Sequence, residues 1–360
     1  MHDRVLGGDP NIGKSFRIWK KRGVDINVGS EIQKVEYYLP ETIVDNRDIA
    51  DAFPEWTPEK IEDKVGICKR HIAGAKETAL DMAFFACEKV LAGVDRSTVD
   101  FLILCTQSPD YFLPTSACIL QDRLDLPTDI GAFDINLGCS GYIYALFTAK
   151  AMIQSNAAKT VLVVTSETYS KHIHPQDRGN RIIFGDGAAA TLVCQSDRGG
   201  ILDFSLGTNG RGYKNLIVPN GGMREKYQPD APELEDKNGC IRTDNHLYMN
   251  GPEIFNFTIK TIPGLVKGIL SKNQMTLDQI DYVIFHQANA YILNYLRKKI
   301  KIPEGKFYMN MRNTGNTVSA TIPIALKDCL DGGLVKSGDH VLIAGFGVGY
   351  SWGGTIIRIP

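Results

Sequence analysis

The residue best suited to covalent chemistry is Cys139, set in Asn136-Leu137-Gly138-Cys139-Ser140-Gly141 between an apolar strand pattern and a helix that opens Tyr142-Ile143-Tyr144. This order puts the thiol at a helix N-terminus, where unpaired amides and the positive end of the dipole favour thiolate. The flanking glycines let backbone come close to a ligand. A nucleophilic cysteine needs this setting; taken alone, the motif also fits a buried cysteine in a tight turn. His286 ends the apolar run Val283-Ile284-Phe285-His286-Gln287-Ala288-Asn289, so its imidazole is either a strand-tip group facing a cavity or a hydrogen-bonded structural histidine. Asn316, in Asn313-Thr314-Gly315-Asn316-Thr317-Val318, brings a carboxamide to another helix start, where it also fits as an N-cap. The stretch 345–354, Gly345-Phe346-Gly347-Val348-Gly349-Tyr350 onward, is too glycine-rich for a regular element and is expected to be a turn. Its Val348 amide, set beside that of Cys139, would form an oxyanion hole for thioester attack.

These groups must be positioned by two similar halves. Asp100-Phe101-Leu102-Ile103-Leu104 recurs as Asp281-Tyr282-Val283-Ile284-Phe285, an offset of 181 residues. The segment around Cys139 recurs around Asn316 at an offset of 177, and Val161-Leu162-Val163 recurs as Val341-Leu342-Ile343 at 180. A period this long means duplicated domains and not a solenoid. Short apolar strands alternate with helix-period segments, which is the pattern of an α/β fold with buried sheets. Strands are expected at 32–39, 101–106, 131–135, 160–165 and 188–194, then at 201–206, 282–286, 307–310, 341–344 and 353–359. Helices are expected at 78–91, 139–155, 252–270, 291–300 and 317–330. Residues 28–199 and 200–360 form the two halves, the loop 207–245 is an insertion in the second, and residues 1–27 form an unassigned extension.

Composition narrows the function classes. Of the 360 residues 43% are apolar, enough for a substantial core, and 40 basic against 41 acidic residues leave a net charge of -1. No global field would hold this chain on nucleic acid or an anionic membrane. No apolar run reaches the roughly 20 residues that span a bilayer, nor do the first 30 residues carry a secretory signal core. The expectation is a soluble, cytoplasmic protein. Eight scattered cysteines form no CxxC pair and no zinc-binding cluster, so all but Cys139 read as small buried hydrophobes and no metal is expected.

In combination, Gly138-Cys139-Ser140-Gly141, His286-Gln287-Ala288-Asn289, Gly315-Asn316-Thr317 and Gly347-Val348-Gly349-Tyr350-Ser351-Trp352-Gly353 fall in the order of the β-ketoacyl-acyl-carrier-protein synthase III family. Asp177-Arg178-Gly179 and Phe184-Gly185-Asp186-Gly187 also resemble that family's signatures, and the similarity runs from about residue 32 to 359. The resemblance implies a thiolase-like, five-layered αβαβα fold. It implies that Cys139 takes an acyl group from acyl-CoA while the Cys139 and Val348 amides hold the oxyanion. Malonyl-ACP or malonyl-CoA then enters, and His286 and Asn316 hold its thioester oxygen during decarboxylation. The resemblance implies no permanently bound cofactor, with coenzyme A or phosphopantetheine thioesters as substrates. Trp56 and Arg178 match positions that sandwich the adenine, and Phe255 and Asn289 positions along the pantetheine arm. Lys64 and Tyr291 stand where the family has arginines, which bears on acyl carrier protein docking. The family is homodimeric, and Leu113 matches a residue that crosses the dimer to cap the partner's acyl pocket.

Other chemistries are open on the same residues. A biosynthetic thiolase would need a second cysteine in the C-terminal glycine-rich loop, and 345–354 has none. An acyltransferase would move the acyl group from Cys139 to an alcohol or amine, with His286 as general base. A chalcone-synthase-like enzyme would use the same three residues on CoA substrates, and an inactive binding subunit would not be expected to keep all three. The segment 8–15, Gly8-Asp9-Pro10-Asn11-Ile12-Gly13-Lys14-Ser15, matches the phosphate-loop pattern, but only seven residues precede it, too few for the strand such a loop requires.

Overall fold

The computed structural model describes residues 28–237 and 239–360. The 1–27 extension and its 8–15 motif lie outside the described residues. The first sheet contains Gly29–Tyr38, Phe101–Cys105, Gly131–Ile135, Thr160–Glu167 and Gly187–Ser196. The second contains Ser205–Thr208, Tyr282–Phe285, Phe307–Tyr308, His340–Gly347 and Ser351–Arg358. Numbered in chain order within its half, each sheet runs first, fifth, fourth, second, third. The first two of these contacts are antiparallel and the last two parallel, in both halves. The registers agree as well: Phe101 lies opposite Val161, and Tyr282 opposite Val341. The duplicated strands read in the sequence are thus equivalent strands of two copies of one sheet.

Buried on both faces, the central strands read as continuous apolar runs such as Phe101-Leu102-Ile103-Leu104-Cys105. Between the sheets lie the helices Gly141–Gln154 and Thr321–Asp331, whose Tyr142, Ile143, Ile322 and Ala325 join Val163 and Ile343 in one cluster. Fully burying a side chain of this size contributes about 1.5–3 kcal/mol, so this shared layer welds the halves together. Ala79–Leu91 covers the outer face of the first sheet; Gly251–Lys272 and Ala290–Ile300 cover that of the second. The five layers, helix, sheet, helix, sheet, helix, are those of the thiolase-like fold.

Three expectations change. Residues 345–354 are mostly strand: His340–Gly347 and Ser351–Arg358 form a hairpin that turns only at 348–350. Glycine there permits close packing between layers and does not break the sheet. The expected strand at 201–206 starts at Ser205, and Ile201 makes only an isolated bridge to Ile357. The expected helix 317–330 begins as a short 3-10 turn, Val318–Ala320, before Thr321–Asp331. Among the described residues no helix is long and apolar enough to cross a membrane.

Candidate active site

Cys139 stands two residues before Gly141–Gln154, at the end of the central helix where the halves meet, and keeps 6% exposure. Its sulfur meets the tip of the second sheet. A Cβ on Gly347 would lie 2.8 Å from Sγ, so only glycine leaves space for the thiol. The backbones of Val348 and of Cys139 itself both act on the sulfur in the direction that favours its charged form. Burial nevertheless pushes the thiol up to about 12, with Glu167 nearby acting in the same direction. The expectation of a dipole-favoured thiolate is therefore corrected: desolvation outweighs the helix terminus, and the resting group is a thiol.

His286 follows Tyr282–Phe285 and is 2% exposed, its ring edge-on to Phe346 at 5.9 Å. Burial pushes its imidazole down to about 3, opposed by the Val318 carbonyl, so the ring is neutral at any ordinary pH. Nδ1 lies 2.8 Å from Oγ1 of Thr321. Asn316 is 4% exposed and is held by the first half through backbone bonds to Ile183 and Gly185. Its carboxamide oxygen accepts the Val318 N–H at 2.9 Å, and its Nδ2 donates to the Ala288 carbonyl at 3.4 Å. Its oxygen caps a local turn and not the long helix, whose N-cap is Ala320.

One residue connects all three groups. Val318 packs in the apolar cluster around Cys139, donates its N–H to Asn316 and sets its carbonyl against His286. Its φ is +55, a left-handed conformation that a β-branched residue seldom adopts and that only firm surroundings maintain. Thiol, imidazole and carboxamide are thus all neighbours of Val318 at the junction.

Residues 133–210 match the family profile of 3-oxoacyl-[acyl-carrier-protein (ACP)] synthase III, and residues 270–359 match the profile of its C terminal. A β-ketoacyl-[acyl-carrier-protein] synthase III of Clostridium perfringens is 36% identical over 325 residues, 89% of this chain and 97% of that protein. The chain belongs to the β-ketoacyl-acyl-carrier-protein synthase III family. A 2.1 Å crystal structure of a 3-oxoacyl-(acyl-carrier-protein) synthase III matches at a TM-score of 0.90 and 46% identity, covering 92% of this chain and 100% of that one. The priming β-ketosynthase of the R1128 polyketide biosynthetic pathway matches at 0.82 and 29%, over 92% of this chain and 96% of its own.

For a synthase III family member, the other residues expected at the site fall in two groups. Trp56 and Phe255 pack on the cluster outside the second sheet and not on the cluster that holds Cys139. Lys64 Nζ lies 4.5 Å from the centre of the Trp56 ring, and Arg178 pairs with Glu55, one residue before Trp56. Phe255 makes an aromatic group with Tyr291 and Tyr295, at 5.5 and 5.3 Å. Asn289 caps Ala290–Ile300, accepting the Ile292 N–H at 2.9 Å. Leu113 is 81% exposed, beside Tyr111 and Phe112 at 60% and 78%, and takes no part in the cluster around its own chain's thiol. A surface cavity of about 440 Å³ lined by Phe147, Lys150, Asp203, Phe204 and Lys272 is separate from the thiol's surroundings.

Several residues of the site carried little sequence signal. The insertion 207–245 and the segment after it send Leu216 and Leu247 into the apolar wall beside Cys139, with Tyr169, Ile173 and Phe184. Ser140 and Ser351 meet hydroxyl to hydroxyl at 2.6 Å, and Ser351 donates to the Val348 carbonyl at 2.9 Å. Glu167 is fully buried, and burial pushes its carboxyl up to about 8. It accepts from Gln107 N–H at 3.0 Å, Ser108 Oγ at 3.2 Å and, from the other half, Ser319 Oγ at 2.9 Å. A charged residue closing the apolar run Val161-Leu162-Val163-Val164 was its one visible sign.

Proposed function

We propose that this chain catalyses the decarboxylative Claisen condensation of an acyl-CoA with a malonyl thioester, malonyl-ACP, through an acyl-cysteine at Cys139, giving a 3-oxoacyl thioester. One observation supports this most: the Val348 and Cys139 backbones both favour the charged form of the thiol, and Val318 beside that thiol also meets a neutral imidazole and a carboxamide. Sγ attacks the acyl carbonyl, its oxygen takes the charge between the Cys139 and Val348 amides, and the C–S bond to coenzyme A breaks as the thiol proton leaves with the coenzyme A sulfur. In the second half-reaction the malonyl C–carboxylate bond breaks, CO2 departs, and the bond's electrons form an enolate. His286 and Asn316 hold its oxygen. Two neutral donors stabilise that charge without protonating the carbon that must attack acyl-Cys139. The attack re-forms the carbonyl and expels the Cys139 sulfur as thiolate, which takes a proton from solvent to restore the resting thiol.

Trp56, Arg178, Phe255 and Asn289 are assigned to coenzyme A or phosphopantetheine, which are substrates and not resident cofactors. The first sheet ends in Gly131–Ile135, half-buried along its length with one edge unpaired among the described residues. Such an edge invites pairing with a second copy. A homodimer across it, with the Leu113 segment reaching into the partner's acyl pocket, fits the exposure of Tyr111, Phe112 and Leu113. The work is assigned to the cytoplasm, with acyl-CoA and acyl carrier protein as partners and neither nucleic acid nor membrane.

Measuring CO2 release from a malonyl thioester in the presence of acyl-CoA tests the reading. Cys139→Ala abolishes acyl-enzyme formation, whereas His286→Ala and Asn316→Ala still acylate but fail to release CO2. Acylation of Cys139 by wild type without CO2 release would point instead to acyl transfer onto an alcohol or amine. Full acylation of Cys139→Ala, seen by intact-protein mass spectrometry, would overturn the assigned nucleophile.

A further inference from the structure

His286 is neutral, so its effect on a substrate depends on which nitrogen carries its single ring proton. Nδ1 sits 2.8 Å from Thr321 Oγ1, and the same hydroxyl lies 3.0 Å from the Val318 carbonyl. The hydroxyl has one proton and two acceptors within reach. When it donates to Val318, Oγ1 accepts from Nδ1–H and Nε2 is left with a lone pair. When it donates to Nδ1, the ring proton resides on Nε2, which can then donate.

We propose that Thr321 is a positioning residue that selects the tautomer of His286, giving its proton to Nδ1 so that Nε2–H can donate to the thioester oxygen as CO2 departs. The inference rests on the condensing reading, which requires a donor at Nε2; the rival acyl transfer with His286 as general base requires the opposite tautomer. No bond between heavy atoms changes. The hydroxyl rotates, the ring exchanges its proton with solvent, and no co-reactant is needed. The geometry is firmly set. Thr321 is 2% exposed at the start of its helix, Val318 is fixed in a left-handed conformation, and Phe346 holds the imidazole edge-on at 90°.

Thr321→Val keeps the shape and removes the hydroxyl. The Val318 carbonyl then becomes the partner of Nδ1–H, and Nε2 can only accept. Acyl-Cys139 should form within about twofold of the wild-type rate, while CO2 release from the malonyl thioester should fall about a hundredfold, the loss expected for one missing oxyanion donor. Thr321→Ser should restore release. In protein carrying ¹⁵N-histidine, the Nδ1 of His286 should show the shift of an unprotonated nitrogen in wild type and of a protonated one in Thr321→Val. The proposal is overturned by CO2 release within about threefold of wild type in Thr321→Val, by both half-reactions falling together, or by a protonated Nδ1 in wild type. If wild type acylates but releases no CO2, the condensing reading fails first, and the ¹⁵N shift still decides which tautomer Thr321 selects.

Discussion

The two halves share strand order and direction, yet where they meet their matched positions carry different groups. Cys105 and His286 occupy equivalent strand tips, and Cys139 and Asn316 equivalent helix approaches. Glu167 and Gly347 close the equivalent fourth strands, opposite Gly187 and Ser351. The first half thus brings a thiol and a buried acid, and the second brings a neutral imidazole, a carboxamide and, at Gly347, space for the thiol. Duplication kept the frame, whose strands bury apolar surface on both faces, and diversified the tips, where a side chain can change without costing a sheet. One copy is suited to forming a covalent bond and the other to holding an oxyanion.

The sharpest way to break this division is to fill the empty place. In Gly347→Ala the new methyl would sit 2.8 Å from both Cβ and Sγ of Cys139. Overpacking of this kind typically costs about 1–3 kcal/mol of stability, but the larger effect is on geometry. Displacing the sulfur by a fraction of an ångström from its two amides should slow acylation by at least about a hundredfold. Mass-shift kinetics on Cys139 with an acyl-CoA would show it. Acylation at the wild-type rate would mean that the thiol is not set by the second half's strand.

How much of this was legible in the sequence follows from the same contrast. The frame was readable because periodic apolar strands recur at offsets near 180, and the residues on the tips were readable because Cys139, His286 and Asn316 sit in distinctive local motifs. Contacts made across long stretches of chain left no such mark. Glu167 meets Gln107 and Ser319, and Thr321 meets His286, through folding alone. The glycines of 345–354 were misread as a turn because glycine signals both loops and close packing; here the neighbour is the Cys139 segment. The thiol's pKa was misjudged because a helix terminus is visible in sequence and desolvation is not.

Glu167 against Gly347 gives a second, pH-dependent test. Burial raises the Glu167 carboxyl from 4.5 to about 8. Its folded pKa lies above its unfolded one, so its contribution to stability is full below pH 4.5 and is lost as pH climbs to about 8, at no more than about 1.4 kcal/mol per pH unit. Glu167→Gln can turn its amide oxygen toward Gln107 and Ser108 and its nitrogen toward Ser319, reproducing the uncharged acid. The melting temperature of Glu167→Gln should therefore rise relative to wild type between pH 5 and 8. His286, depressed from 6.5 to about 3, destabilises the fold in the opposite sense, as pH falls from 6.5, but equally in both proteins. A difference that stays flat across the range would show that Glu167 is ionised throughout.

The smallest expected effect concerns the hydroxyl pair. Ser351 Oγ reaches both the Val348 carbonyl and Ser140 Oγ; with its proton on the carbonyl it accepts from Ser140, which ties the approach to Cys139 to the 348–350 turn. The matched contact in the other half is Thr317 against Gly187, where a Cβ on the glycine would lie 3.3 Å from the threonine methyl. That contact is mere close packing, so the hydroxyl link belongs to the thiol side alone. Ser351→Ala strands the buried Ser140 hydroxyl, at about 1–3 kcal/mol, whereas replacing both serines by alanine should be nearly neutral for stability. Neither variant returns a donor to the Val348 carbonyl. Acylation should therefore be slower by about three- to tenfold in both, while only the single variant melts early. If the double variant recovered the acylation rate along with its melting temperature, the serines would matter only to packing, and the Val348 amide would be positioned by the hairpin itself.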